Sequence, residues 1–108
     1  MERGDIYQFF SDGKQTGKQA VPVLIVSPKA FNEITGIPVI LPITEEKDPP
    51  RMAGFAVRLT GEDTETTGII RCDHPRALRL DAENSSKREH IPQAVLNEVL
   101  ARLAAILE

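Results

Sequence analysis

The 108-residue sequence predicts a small, mainly β domain of the α+β class, finished by one C-terminal helix. Two continuous apolar runs, 20–26 (AVPVLIV) and 37–43 (IPVILPI), have the composition of strands buried on both faces. The other apolar segments are short and are cut by proline and glycine at loop spacing. Only the last segment has helical periodicity: Val95, Leu96, Val99, Leu100, Leu103, Ile106 and Leu107 recur at three- and four-residue spacing. The expected architecture is about six short strands in a partly open antiparallel barrel, with the helix across one face. The length suits a single domain over residues 1–108.

The first strand is expected at 5–10 (DIYQFF), where aromatic and β-favouring residues cluster. Residues 11–19 (SDGKQTGKQ) hold two glycines, two lysines and no apolar side chain, the composition of an exposed loop. That loop is a plain hairpin connection or a flap that offers Lys14 and Lys18 to phosphates. After the run at 20–26, Ser27-Pro28 offers a helix cap and a first turn, and Gly36 closes that segment. Residues 44–53 (TEEKDPPRMA) form a second polar loop, in which Pro49-Pro50 blocks regular structure. The segment 54–59 (GFAVRL) alternates, with Phe55, Val57 and Leu59 on one face and Ala56 and Arg58 on the other. A turn at 60–66 leads to a strand at 67–72, and 76–80 (RALRL) offers one more short strand. Residues 81–90 are polar and carry both signs of charge. Pro92 suits the first position of the final helix, whose outward residues are Gln93, Asn97, Glu98 and Arg102.

Composition narrows the partners. A net charge of −3 argues against a domain that grips duplex DNA electrostatically. One cysteine cannot form an internal disulfide, which points to the reducing cytoplasm. No stretch has the length of a membrane span and MERGDIYQFF is no signal peptide, so no membrane partner is expected. No His/Cys/Asp cluster has metal-ligand spacing, and no cofactor is expected.

The chemistry concentrates at 67–78 (TGIIRCDHPRAL). Arg71 and Asp73 are two apart, so on a regular strand they share a face, with Cys72 and His74 on the opposite one. A cation and an anion side by side at a strand end can handle a phosphate. On spacing alone, a surface ion pair of little energetic weight is the simpler reading. Alternation places Cys72 in the core, and His90, just before the helix, reads as a solvated surface residue.

Taken in order, MERGDIY, PVLIVSPKAFN, ITGIPVILPIT, AGFAV, TTGIIRCDHPR and IPQAVLNEVLARLAAIL resemble the PemK/Kid branch of the MazF toxins over residues 1–107. The resemblance implies an SH3-like β-barrel with a C-terminal helix, assembled as a homodimer. It implies a metal-independent endoribonuclease of a type II toxin–antitoxin system. Such enzymes cut single-stranded mRNA at short preferred sequences and leave 2′,3′-cyclic phosphate and 5′-hydroxyl ends. The implied partners are single-stranded RNA, a cognate antitoxin that blocks the RNA site, and operator DNA only as the toxin–antitoxin complex.

The resemblance turns Arg71 and Asp73 into the expected catalytic pair. Asp73 would take the 2′-hydroxyl proton and Arg71 would stabilise charge on the phosphorus. The matching arginine of the family is also suggested as the acid, but a guanidinium gives up its proton very reluctantly, which favours the electrostatic role. The RNA-lining positions of the family match Thr44, Ala53, Phe55, Thr67 and Ile69. Asp5 stands where the branch has an acidic residue close to the RNA. In a regular strand Thr67 and Ile69 line up with Arg71 and Asp73.

Two departures stand out. The first loop of the branch carries a histidine thought to aid catalysis and an arginine before its proline; here the stretch is GKQTGKQAVP. Gln15 or Gly13 falls at the histidine position, and Lys14 supplies charge without an imidazole's acid–base range. After Thr44, a Ser-Gly-Gly-Asn type of run becomes Glu45, Glu46, Lys47 and Asp48, whose acids would repel phosphates. These departures motivate one alternative, a weakly cleaving protein that binds RNA or antitoxin. The fold shared with the CcdB toxins leaves another, an inhibitor of DNA gyrase, against which the intact Arg71-Cys72-Asp73 strand argues.

Overall fold

The buried apolar runs become the centre of one sheet. The structure, a computed structural model, describes residues 1–11, 20–45 and 55–107. Seven strands form among the described residues: β1 (Asp5–Phe10), β2 (Ala20–Ile25), β3 (Val39–Thr44), β4 (Ala56–Arg58), β5 (Ile69–Arg71), β6 (Arg76–Ala77) and β7 (Ser85–His90). The helices are α1 (Lys29–Thr35) and α2 (Gln93–Leu107). Strand order is β4-β5-β3-β2-β1-β7, every pair antiparallel, with β6 also pairing β3. Among the described residues β4 and β7 end this path without pairing to each other, so the sheet is open there, as expected for a partly open barrel.

The central strands are covered on both sides. In β2, Leu24 points into the larger core with Leu41, Ile70 and the helix residues Val95, Leu96 and Val99. Its neighbours Val23 and Ile25 point into a second cluster with Ile40 and Leu80, flanked by Tyr7 and Phe9. A strand with two apolar faces needs no polar alternation, which is why its sequence is a continuous hydrophobic run. Leu107, at the end of the helical stripe, is 72% exposed instead of packed, because the helix runs on past its cover.

The short helix α1 extends beyond the single turn expected. Pro28 occupies its N-cap without a side-chain bond, and Gly36 closes it in the left-handed conformation with φ 69°. Ser27 is not the cap. Its buried hydroxyl donates to Asn32 Oδ1 and accepts from the Val39 N–H, so it ties α1 to β3.

Residues 81–90 hold a strand that their composition hides. β7 pairs with β1, matching Asp5 with His90 and Phe9 with Ser85. Being an edge strand it needs no apolar pattern, and its charges discourage pairing with other chains. Before it, Asp81 Oδ1 accepts from the Glu83 and Asn84 N–H groups and closes a turn.

Candidate active site

Strand register builds the site. Thr44 of β3 pairs with Ile69 of β5, which pairs with Arg58 of β4; one step on, Arg71 pairs with Ala56. Directly opposed residues in antiparallel strands point to the same side. Thr44, Ile69, Arg58, Ala56 and Arg71 therefore share the outer face. The alternate row, Ile43, Ile70 and Val57, is buried in the core.

Regular pairing ends at Arg71. Cys72 is fully buried, and its N–H donates to the Phe55 carbonyl at 2.9 Å. Burial pushes its thiol up to about 11, which leaves it protonated and inert. The backbone then turns, with the His74 N–H donating to the Arg71 carbonyl at 3.1 Å. Asp73 thus lies on a turn and not on a continuing strand. It still meets Arg71. The guanidinium donates through Nε to Asp73 Oδ1 at 3.0 Å and through Nη2 to Oδ2 at 2.9 Å. This is a two-pronged fork, the geometry guanidinium uses on carboxylates and phosphates. The hydrogen bonds from Arg71 outweigh desolvation and hold the Asp73 carboxyl below its ordinary range. It is ionised at neutral pH.

The turn also overturns the expected place of His74. A regular strand would send it to the face opposite Arg71. Instead its Nε2 lies 3.2 Å from Asp73 Oδ2 and 3.2 Å from Arg71 Nη2. Three side chains that can bind, hold charge or move a proton meet at one corner of the sheet.

The remaining candidates divide. Thr44 and Ile69 line the outer face beside Arg71. Thr67 is exposed but precedes β5. Gly68, at φ 123°, breaks the regular alternation that put Thr67 in line. Phe55 leaves the core face expected for it and is 38% exposed, although Val57 and Leu59 are buried. Its carbonyl accepts from the Cys72 N–H, so its backbone lies next to the end of β5. Asp5 is only 2% exposed. Its carboxylate accepts from the Glu2 N–H at 3.0 Å, lies 2.9 Å from His90 Nδ1 and 3.5 Å from Lys87 Nζ. Burial raises its pKa, but these bonds and charges outweigh burial and keep it low. Asp5 acts on the fold of the β1–β7 end, with its carboxylate already occupied. Ala53, Lys14 and Gln15 lie outside the described residues.

Three features escaped the sequence. Arg58 is exposed on the outer face; its alternation with Val57 was legible, but not its pairing with Ile69. His90, read as solvated, is tied to the buried Asp5. Glu89 reaches from β7 to the stretch before β5, accepting from the Thr66 N–H at 2.8 Å and hydroxyl at 2.7 Å. Glu2, Asp5 and His90 also bring three ligand-type atoms within 4.8 Å of one another. Lys87 and His90 already face the same Asp5 oxygen, so this is a hydrogen-bonded ion cluster.

Comparison with known proteins shows the family and the fold. The family model for PemK-like, MazF-like toxins of type II toxin–antitoxin systems matches residues 2–107. The chain is 44% identical to endoribonuclease PemK of Escherichia coli, an alignment covering 99% of this chain and 82% of that protein. It is 32% identical to endoribonuclease toxin ChpB of Escherichia coli K12, covering 99% and 94%. Among solved structures, a MazE–MazF crystal structure from Deinococcus radiodurans superposes with a TM-score of 0.80 at 25% identity, covering 99% of this chain and 94% of that one. A mycobacterial endoribonuclease in complex with its cognate antitoxin superposes with a TM-score of 0.78 at 25% identity, covering 99% and 94%. With the family model matching residues 2–107 and the fold shared with solved MazF structures, the chain belongs to the PemK-like, MazF-like toxins of type II toxin–antitoxin systems.

Proposed function

We propose that this toxin is an endoribonuclease that cuts single-stranded mRNA at preferred sequences, without a metal ion, using Arg71 and Asp73. RNA carries its own nucleophile. The protein has only to take the 2′-hydroxyl proton, hold the phosphate in line and stabilise the charge that develops on it. Asp73, ionised at neutral pH, takes the proton. Arg71 serves the phosphate as a fixed positive charge, its guanidinium oriented by the fork to Asp73. The observation that carries this reading is that fork, set at the end of β5 on the sheet face that also holds Thr44 and Ile69.

The toxin acts as a homodimer in the cytoplasm, and a cognate antitoxin silences it by covering the Arg71 face. The support is family membership and the antitoxin complexes of its structural relatives. No described helix is long and apolar enough to cross a membrane.

The test is cleavage of a long single-stranded RNA in EDTA by wild type, Arg71→Ala and Asp73→Ala. Discrete cuts by wild type, lost in both variants, are expected. Intact RNA at high enzyme excess would refute the reading. Equal cutting by Asp73→Ala would remove Asp73 as the base. A gyrase supercoiling assay with the same preparation is expected to show no inhibition.

A further inference from the structure

We propose that His74 is the general acid of this reaction and gives the departing 5′-oxygen its proton. The inference rests on the endoribonuclease reading above. Attack by the 2′-oxygen needs two proton transfers, one away from the nucleophile and one onto the leaving group. Asp73, held ionised by Arg71, can accept a proton but has none to give. A guanidinium gives up its proton very reluctantly. The third group at the corner is an imidazole, the side chain suited to giving and taking a proton near neutral pH.

The geometry serves both states of the ring. His74 Nε2 is 3.2 Å from the Arg71 Nη2 donor and 3.2 Å from the Asp73 Oδ2 acceptor. A protonated ring donates Nε2–H to Asp73 Oδ2. When its Nδ1 proton leaves, the neutral ring still carries Nε2–H and keeps that bond. The ring can give up its proton without losing Asp73 or moving. Among the described residues these contacts all run through Nε2, which leaves Nδ1 for the substrate. The side chain is 58% exposed, so an RNA strand on the outer face can reach it.

The step balances as follows. The 2′-oxygen forms a bond to phosphorus and its proton passes to the Asp73 carboxylate. The bond from phosphorus to the 5′-oxygen breaks, and its electron pair stays on that oxygen, which takes the proton from Nδ1. The products are a 2′,3′-cyclic phosphate and a 5′-hydroxyl. Asp73 and His74 return to their starting states by proton exchange with water.

The experiment compares two RNA oligonucleotides that differ in one atom. One has the ordinary 5′-oxygen at the cleaved position; the other has sulfur there, which leaves as a thiolate (pKa about 8.5) and needs no acid. His74→Gln should cut the ordinary RNA more slowly by roughly 10²-fold, the lower end of general acid–base effects. It should cut the sulfur-linked RNA at nearly the wild-type rate. Because both substrates meet the same preparation, a partly misfolded variant lowers both rates and cannot imitate this split. Equal loss on both substrates, or no loss on either, would overturn the assignment. Arg71→Ala, run alongside, should be slow on both. If wild type cuts neither RNA, the endoribonuclease reading falls as well, so the two failures are distinct.

Discussion

Gly68 is the residue whose side-chain hydrogen lets β5 lie against β3. It has φ 123°, and a Cβ built on it would run into the Thr44 carbonyl oxygen and lie 3.3 Å from Ile43 Cγ2. The Thr44 carbonyl belongs to backbone that is held by pairing with Ile69 and cannot swing aside as a long side chain would. Gly68→Ala therefore carries two costs. A non-glycine residue in such a conformation costs about 1–3 kcal/mol. Overpacking against fixed atoms adds about 1–3 kcal/mol. Together they predict a loss of roughly 2–6 kcal/mol, against a total stability of about 5–15 kcal/mol for a typical domain. Gly61 provides the control. Its φ of 93° is also positive, but a Cβ there meets nothing within 4 Å, so Gly61→Ala carries only the conformational cost. Urea unfolding followed by far-UV circular dichroism measures both variants. Gly68→Ala should have the lower midpoint, and it should cut RNA poorly even where it is folded, because β5 must shift away from β3. A Gly68→Ala midpoint equal to that of Gly61→Ala would refute the close approach of the two strands.

Two further outcomes follow from the same structure. Asp5 has a lowered folded-state pKa, so its stabilising effect is present above its unfolded value near 3.8 and is lost as pH falls through the folded value. Asp5→Asn should be less stable at pH 7 by about 1–3 kcal/mol and should converge with wild type towards pH 2; a pH-independent gap in thermal midpoint would refute the linkage. Phe55→Ala should weaken binding of an uncleavable single-stranded RNA by roughly tenfold or more, with little change in thermal midpoint, since base–aromatic stacking is worth about 1–3 kcal/mol. A large loss of stability with unchanged RNA binding would return Phe55 to the core.

The local pattern of the chain was enough for much of this molecule. The runs at 20–26 and 37–43 announced strands with two apolar faces, because burial on both sides demands an unbroken hydrophobic sequence. The stripe from Val95 to Ile106 announced α2, because 3.6-residue periodicity is written into adjacent positions. Arg71 and Asp73 were legible as partners because they are two residues apart, and that nearness survives the turn. The choice between a surface ion pair and a site came from the length of the family match, not from spacing.

Tertiary structure decided the rest, wherever a residue's partner lies far along the chain or the backbone leaves its period. The strand β7 is polar because it sits at an edge and draws its order from β1. Asp5 and His90 are 85 residues apart, and Glu89 and Thr66 are 23 apart; no periodicity records such bonds. Phe55 alternates with core residues, yet β4 begins only after it, at Ala56. His74 is the sharpest case. Strand alternation sends it away from Arg71, but β5 ends at Arg71 and the turn that follows carries the imidazole back to Asp73. Sequence determined which chemical groups this corner contains. Where the strand stopped determined that the third of them faces the other two.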